Sequence, residues 1–239
     1  LHGTKHSFPT RRSSDLIRTV YHSSERMEMA KSFANRTKPL CCGGDARFVL
    51  YWCQSKEGRR GTIKLLMHTC CAPCSVACVQ ALRDEGIEPT AYWNNPNIHP
   101  FTEYRVRRDT LREYAASIGM ALVEEGEYGL RPFVKAVAED MDNRCAYCYE
   151  VRMDAAAKYA AEHGFTHFTS TLFISPYQNH ELLRQTAQRA ADTYGVEFLY
   201  RDFRPHFREG QSEARALGLY MQKYCGCVFS EEERYAKKR

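Results

Sequence analysis

The sequence has no stretch approaching the ~18 consecutive apolar residues of a membrane helix, which excludes an ordinary membrane span. It has no segment with the order of a secretory signal, a basic start followed by an apolar run and a small-residue cleavage site. The expectation is a soluble, cytoplasmic protein that does not engage a membrane. Internal repeats and long linkers are also lacking, so one folded domain is the simplest organisation. Most of the chain lacks a charge excess as well. Residues 1–61 carry 12 Lys+Arg against 5 Asp+Glu, whereas the remainder carries 22 against 24. The formal net charge of +5 therefore says nothing about the partner of the main domain, and only local basic clusters can.

The first sixty residues lack any sustained helical or strand period. "SFPTRRSSDL" (7–16) resembles the translation of a sequencing-adapter read. Residues 1–61 are expected to be a non-native or disordered extension, and 62–239 a single α/β domain. Cys41, Cys42 and Cys53 fall in the extension, which leaves eight cysteines in the domain.

From residue 62 the chain alternates. Strands are expected at 62–68, 87–95, 121–126, 166–172 and 196–203. Helices are expected at 72–86, 102–119, 131–141, 145–164, 178–193 and 211–224. This pattern argues an α/β fold of three layers, a mostly parallel sheet flanked by helices. Ligands of such sheets sit beyond the carboxyl ends of the strands. The run "HTCCAPC" (68–74) lies at that place after the first strand.

Seven cysteines fall in three short-spaced groups: Cys70, Cys71 and Cys74; Cys145 and Cys148; Cys225 and Cys227. The first group spans a strand-to-helix turn, where partial positive charge and free N–H groups stabilise thiolates. Cys145 and Cys148 open a helix, and their i, i+3 spacing points both sulfurs one way. Gly226 lets the backbone between Cys225 and Cys227 wrap close to a ligand. A disulfide framework belongs to exported chains. Structural zinc takes four ligands, and an iron–sulfur cluster typically takes four cysteines. Four plus three would suit one cluster and a mononuclear metal with an open position. Composition does not separate iron from zinc. Cys78, one turn beyond Cys74, is expected to be a buried structural residue.

The stretches "KLLMHTCCAPCS" (64–75), "YWNNPNIHP" (92–100), "YRVRRD" (104–109), "RCAYCYEVRM" (144–153), "STLFISPYQNH" (170–180), "DFRPHFREGQ" (202–211) and "YCGCVFS" (224–230) together resemble the motif series of QueH-type epoxyqueuosine reductases. The resemblance runs in order from about residue 63 to 230, and residues 1–61 have no counterpart in it. It implies an adenine-nucleotide α-hydrolase-like (HUP) fold. It implies an oxidoreductase of queuosine biosynthesis that removes the epoxide oxygen of epoxyqueuosine at the tRNA wobble position without cobalamin. It also implies a [4Fe–4S] cluster on Cys71, Cys74, Cys145 and Cys148, and a mononuclear metal, iron or zinc, on Cys70, Cys225 and Cys227. Some family members carry Asp where this chain has Cys74, so an all-cysteine cluster is implied here. Electrons would come from an external ferredoxin- or flavodoxin-like donor.

Around these thiols, His99 is a candidate proton donor in the loop after the second strand, and Asp202 a candidate site residue just beyond a strand end. His68 is expected to be structural. Tyr147 and Tyr149 flank Cys148 and could stack on a base, while Tyr177, Gln178 and Arg204 lie near the sheet's carboxyl edge. Arg105, Arg107, Arg108 and Arg112 on one helix, and Arg201, Arg204 and Arg208 on one loop, could track tRNA phosphates.

Two other functions remain open on the residues alone. A tRNA sulfurtransferase or ligase of the same fold class would use ATP on a Gly/Ser-rich loop of the S-G-G-x-D-S type, but thiols occupy that position here. A non-catalytic RNA-binding module would carry zinc and no iron.

Overall fold

The computed structural model describes residues 63–236. The expectation for residues 1–61, with Cys41, Cys42 and Cys53, lies outside the described residues. The first strand, β1 (Leu65–His68), is buried at every position. A central parallel strand covered on both faces reads as such an unbroken apolar run. The strands β2 (Pro89–Trp93), β3 (Leu122–Glu124), β4 (His167–Ser170) and β5 (Glu197–Phe198) complete a five-stranded sheet of order β3-β2-β1-β4-β5. Every pairing in it is parallel. The register sets His68 opposite Tyr92 on one side and Ser170 on the other.

Helix α1 (Ala72–Asp84) follows β1, α2 (Phe101–Ser117) follows β2, and α3 (Leu130–Val137) and α4 (Arg144–Glu162) follow β3. Next come α5 (His180–Tyr194), α6 (Phe207–Ala216) and α7 (Val228–Tyr235). Helices α4 and α5 pack together over β1, β4 and β5, whereas α1 packs with α2 and α6. Both helical layers follow from the sequence. On α4 the buried positions Cys148, Tyr149, Arg152, Met153, Ala156, Ala157 and Ala160 recur at helical spacing. On α1 nearly the whole surface is covered, and its small residues admit a close neighbour. That neighbour is α6: a Cβ on Gly210 would fall 2.8 Å from Cβ of Ala77.

The chain fills the sheet outward from β1 to β3, then returns to the other side of β1 with β4. Strand order therefore reverses between β1 and β4, and a crevice opens beyond their carboxyl ends. Cys70 lies in it, its N–H donating to Oγ1 of Thr171 at 3.2 Å.

Two expected elements differ, and one helix was not expected. The strand expected at 196–203 is confined to Glu197–Phe198, and the chain then leaves the edge toward a short 3-10 turn at Arg204–His206. The helix expected at 211–224 starts at Phe207 and stops before Gly218, which takes a φ of +69° that ends a helix readily. Beyond it the backbone is irregular, and Arg107 of α2 donates to two of its carbonyls. Helix α7 has no counterpart among the expected elements. No helix among the described residues is long and apolar enough to cross a membrane.

The α1–α6 contact makes Gly210→Val an overpacking substitution. It is expected to cost about 1–3 kcal/mol in urea unfolding, against less than about 0.5 kcal/mol for Glu209→Val on the exposed face. Equal effects of the two would contradict this seating of α6.

Candidate metal centre

The thiols after β1 are brought together by the turn into α1. Cys71 is the N-cap residue, with extended φ and ψ of −175° and 163°, and Pro73 fills the first helical turn. Proline lacks an N–H that this turn would leave unused anyway. Ser75 Oγ donates to the Cys71 carbonyl at 2.8 Å and fixes the cap. The sulfurs of Cys70, Cys71 and Cys74 lie within 4.8 Å of one another, all buried. Cys70 Sγ stands 3.7 Å from Cys71 Sγ and accepts from Thr171 Oγ1 at 3.5 Å. Hydrogen bonds from Cys71 and Cys74 hold the Cys70 thiol well below its ordinary value. Burial pushes Cys71 up, and hydrogen bonding to Cys70 pushes Cys74 up. One sulfur thus gives up its proton most readily while two others support the charge. This is a donor set that could hold a metal ion. Cys78 is fully buried and kept protonated by burial, as a structural residue would be.

The other four thiols belong to a second set of neighbours. Cys145 and Cys148 open α4, and Cys227 caps α7. Burial, then the neighbouring Cys225, raises Cys145. Burial pushes Cys148 up to about 12, while the Arg152 guanidinium opposes the shift. Arg152 Nη2 donates to Cys148 Sγ at 2.9 Å and Nε to the Cys148 carbonyl at 3.0 Å. Arg152 is 2% exposed, and among the described residues no carboxylate pairs with it. An isolated buried cation is costly, so its compensating charge must come from the sulfurs around it.

A second buried guanidinium joins the two sets. Arg107, also 2% exposed, pairs with Glu103 at 2.7 Å and donates to the carbonyls of Cys225 at 2.9 Å and Tyr224 at 3.0 Å. It ties this part of the non-helical segment 219–227 to α2. This corrects the expectation that Arg107 faces solvent as a phosphate contact. His99 acts on the same loop. Its N–H donates to the Gly226 carbonyl at 2.7 Å, its Nδ1 accepts from Val228 N at 3.3 Å, and its Nε2 donates to the Pro96 carbonyl at 3.1 Å. Burial lowers His99 to about 4. With both ring nitrogens engaged and the ring neutral, it is a structural clamp and not a free proton donor. His68 is likewise structural, bonded to Ser170 Oγ at 2.9 Å.

A cavity of about 760 Å³ opens above Cys70, Cys74 and Cys225. That volume lies within the range of small-molecule sites. Gln178 reaches its edge with Nε2 donating to Cys225 Sγ at 3.3 Å, while its Oε1 accepts from Tyr149 Oη at 2.7 Å. Gln222 donates to Cys74 Sγ at 3.3 Å and leaves its own Oε1 buried and unpartnered. Tyr177, 85% exposed, stands at the mouth with its ring edge-on to Phe207. Tyr147 lies elsewhere, packed with Phe133 beside a smaller cavity of about 260 Å³ that reaches Cys148.

Asp202 and Arg204 are not among the residues lining either cavity. They pair with each other at 2.6 Å on the surface, which lowers Asp202 to about 2. Arg105 is exposed on α2, and Arg108 pairs with Asp109 at 3.1 Å. Sequence reasoning missed Arg152, Gln222, Arg215 and Lys223. Arg152 had a signal, because a basic residue four positions after Cys148 must share its helix face. Gln222 and Lys223 sit where the expected helix does not form, whereas Arg215 is helical as expected and only tertiary packing sets it at the cavity.

The family model described as "Epoxyqueuosine reductase QueH" matches residues 65–233. A Dehalococcoides mccartyi protein named epoxyqueuosine reductase QueH is 40% identical over 174 residues, which are 73% of this chain and 96% of the relative. A Thermotoga maritima protein of the same name is 33% identical over 187 residues, covering 74% and 94%. One from Histophilus somni is 33% identical over 206 residues, covering 82% of both chains.

The His99 clamp carries a pH signature. Between its folded value of about 4 and its ordinary 6.5, the unfolded chain binds a proton that the folded chain does not. Stability therefore rises with pH across that window and falls as pH drops from 6.5 toward 4, by up to about 1.4 kcal/mol per unit. His99→Gln is expected to flatten the slope of unfolding free energy against pH there. Identical slopes would show that His99 titrates freely in the folded chain.

Proposed function

The chain belongs to the QueH family of epoxyqueuosine reductases, and we propose that its seven grouped thiols hold the redox and Lewis-acid centres of that reaction. The reaction takes epoxyqueuosine, two electrons and two protons to queuosine and water: both epoxide C–O bonds break, a C=C bond forms, and the oxygen leaves as water. The observation that carries the reading is the buried Cys70, Cys71 and Cys74 group, of which Cys70 and Cys74 line a cavity of about 760 Å³. The modified base lies at the wobble position of a tRNA anticodon, so the enzyme acts on RNA in the cytoplasm.

The donor set fits anionic thiolate-bound metal. Thiols are crowded beside Arg152, whose buried charge lacks a carboxylate among the described residues. Metal binding displaces the protons that burial otherwise keeps on these sulfurs. In this reading Cys71, Cys74, Cys145 and Cys148 hold a [4Fe–4S] cluster, and Cys70, Cys225 and Cys227 a mononuclear iron or zinc, with no cobalamin. When bound, these centres supply single electrons and Lewis acidity toward the epoxide oxygen. A ferredoxin- or flavodoxin-like protein replenishes the electrons.

The chain's own residues bind and orient. A base splayed from the anticodon stacks on Tyr177 at the mouth. Gln178 is aimed by Tyr149, whose hydroxyl burial keeps protonated, so its amide stays fixed beside Cys225. Gln222 Oε1, buried and unpartnered, accepts a hydrogen bond from the polar ring of the substrate. The neutral, clamped His99 holds the turn at Gly226 and Val228. Residues 62–239 make up the working domain and 1–61 are a non-native extension in this reading, and the mass of the protein isolated from its own cells tests that.

Purified without oxygen, the chain is expected to contain about four sulfides and four to five irons. Cys70→Ser and Cys225→Ser should each abolish turnover while the cluster absorbance persists. Loss of that absorbance in both would break the division of thiols. Zinc without sulfide, persisting after anaerobic reconstitution, would favour a non-catalytic RNA-binding module.

A further inference from the structure

The exposed cations of this domain include paired and unpaired ones, and Arg105, Arg131 and Lys135 are without a carboxylate partner among the described residues but lie away from the cavity. Arg83, Arg112, Arg184, Arg201 and Arg204 each hold a carboxylate within hydrogen-bonding distance. Such exposed pairs have their charge largely spoken for. Arg208 and Arg215 on α6, Lys223 in the following segment and Arg234 on α7 have no carboxylate partner among the described residues. All four line the cavity above Cys70, Cys74 and Cys225, and no Asp or Glu lines it with them. Three elements thus converge unpaired cations on one opening, next to the exposed ring of Tyr177.

We propose that Arg208, Arg215, Lys223 and Arg234 form a phosphate-binding rim that grips the backbone of single-stranded RNA on either side of a base held in the cavity. The inference rests on the reading of this cavity as the epoxyqueuosine site. It centres the nucleic-acid contact on the cavity rather than on α2, where Arg107 is buried, Arg108 and Arg112 are paired and Arg105 alone is exposed without a carboxylate partner among the described residues. The arrangement suits a strand of RNA: cations flank an aromatic platform, so phosphates on both sides of a flipped base can be held while the base stacks. Keeping these cations free of carboxylates leaves them nothing to break before phosphate binds.

The test uses the metal-loaded full chain and a labelled anticodon stem-loop RNA carrying epoxyqueuosine. Arg208→Ser/Arg215→Ser/Lys223→Ser is compared with Arg105→Ser/Arg131→Ser/Lys135→Ser, which removes three exposed cations outside the cavity lining and the same net charge. The rim variant is expected to bind at least tenfold more weakly at low salt. Its log–log dependence of affinity on salt should flatten by about two, from ~0.7 per lost phosphate contact on a single strand. The second variant should retain most of both. Equal losses in the two variants, or a larger loss in the second, would overturn the rim. So would unchanged RNA binding in the rim variant with slowed reduction by an acidic flavodoxin-like carrier, which would make the rim a donor-docking face. If the wild-type chain binds this RNA through the rim but leaves the epoxide intact, the reductase reading fails and the rim stands.

Discussion

Arg107 is the interaction on which the site depends. The two thiol sets come from segments far apart in the chain, and Arg107 is the tie between α2 and the loop at Tyr224 and Cys225. Its charge is neutralised locally by Glu103, which also accepts from the Tyr220 hydroxyl at 2.5 Å. The guanidinium can therefore spend its remaining N–H groups on backbone carbonyls. Such a buried, charge-assisted network is rigid when fully satisfied. Around it, His99 fixes Gly226 and Val228, and Tyr224 Oη donates to the His99 carbonyl at 2.7 Å. The cysteine loop is held on three sides, by Arg107, by His99 and by Tyr224.

The electrostatics divide along burial. Inside, Arg107 and Arg152 lie beside sulfur and make anionic thiolates less costly. Outside, many cations are matched with carboxylates, and of the unmatched ones Arg208, Arg215, Lys223 and Arg234 face the cavity. The same residue type thus serves as a counter-ion to the centre in one place and as a surface charge in another. Only packing distinguishes the roles.

That distinction explains what the sequence could and could not disclose. The apolar run at Leu65–His68, the glycine-closed helices and the three cysteine groups follow local rules, and the alternating parallel fold was legible from them. The Gln178 position at the sheet's carboxyl edge was legible for the same reason. Arg107 was not: its period on α2 marks a helix but does not say whether the face meets solvent or a distant loop. The segment 219–227 departs from the expected helix after Gly218, whose positive φ ends α6, and its contacts with the distant Arg107 are not visible in local sequence. His99 looked like a proton donor because a loop histidine ordinarily is free, and only the tertiary contacts to Pro96, Gly226 and Val228 engage it. Asp202 lay correctly near a strand end, yet its pairing with Arg204 turns it outward.

The placement of the Tyr224–Val228 loop has a consequence for how the protein is made. A chain leaves the ribosome amino terminus first, and its early elements can fold before its last ones exist. The ends of β1 and α4, with five of the seven thiols, are therefore exposed to the cell while Cys225 and Cys227 are still being synthesised. Until the late loop docks on Arg107 and His99, that half-built nest of sulfur stands open to metal donors and oxidants alike. Among the described residues this late loop is the stopper of the bottle, seated over sulfurs that earlier segments have already placed.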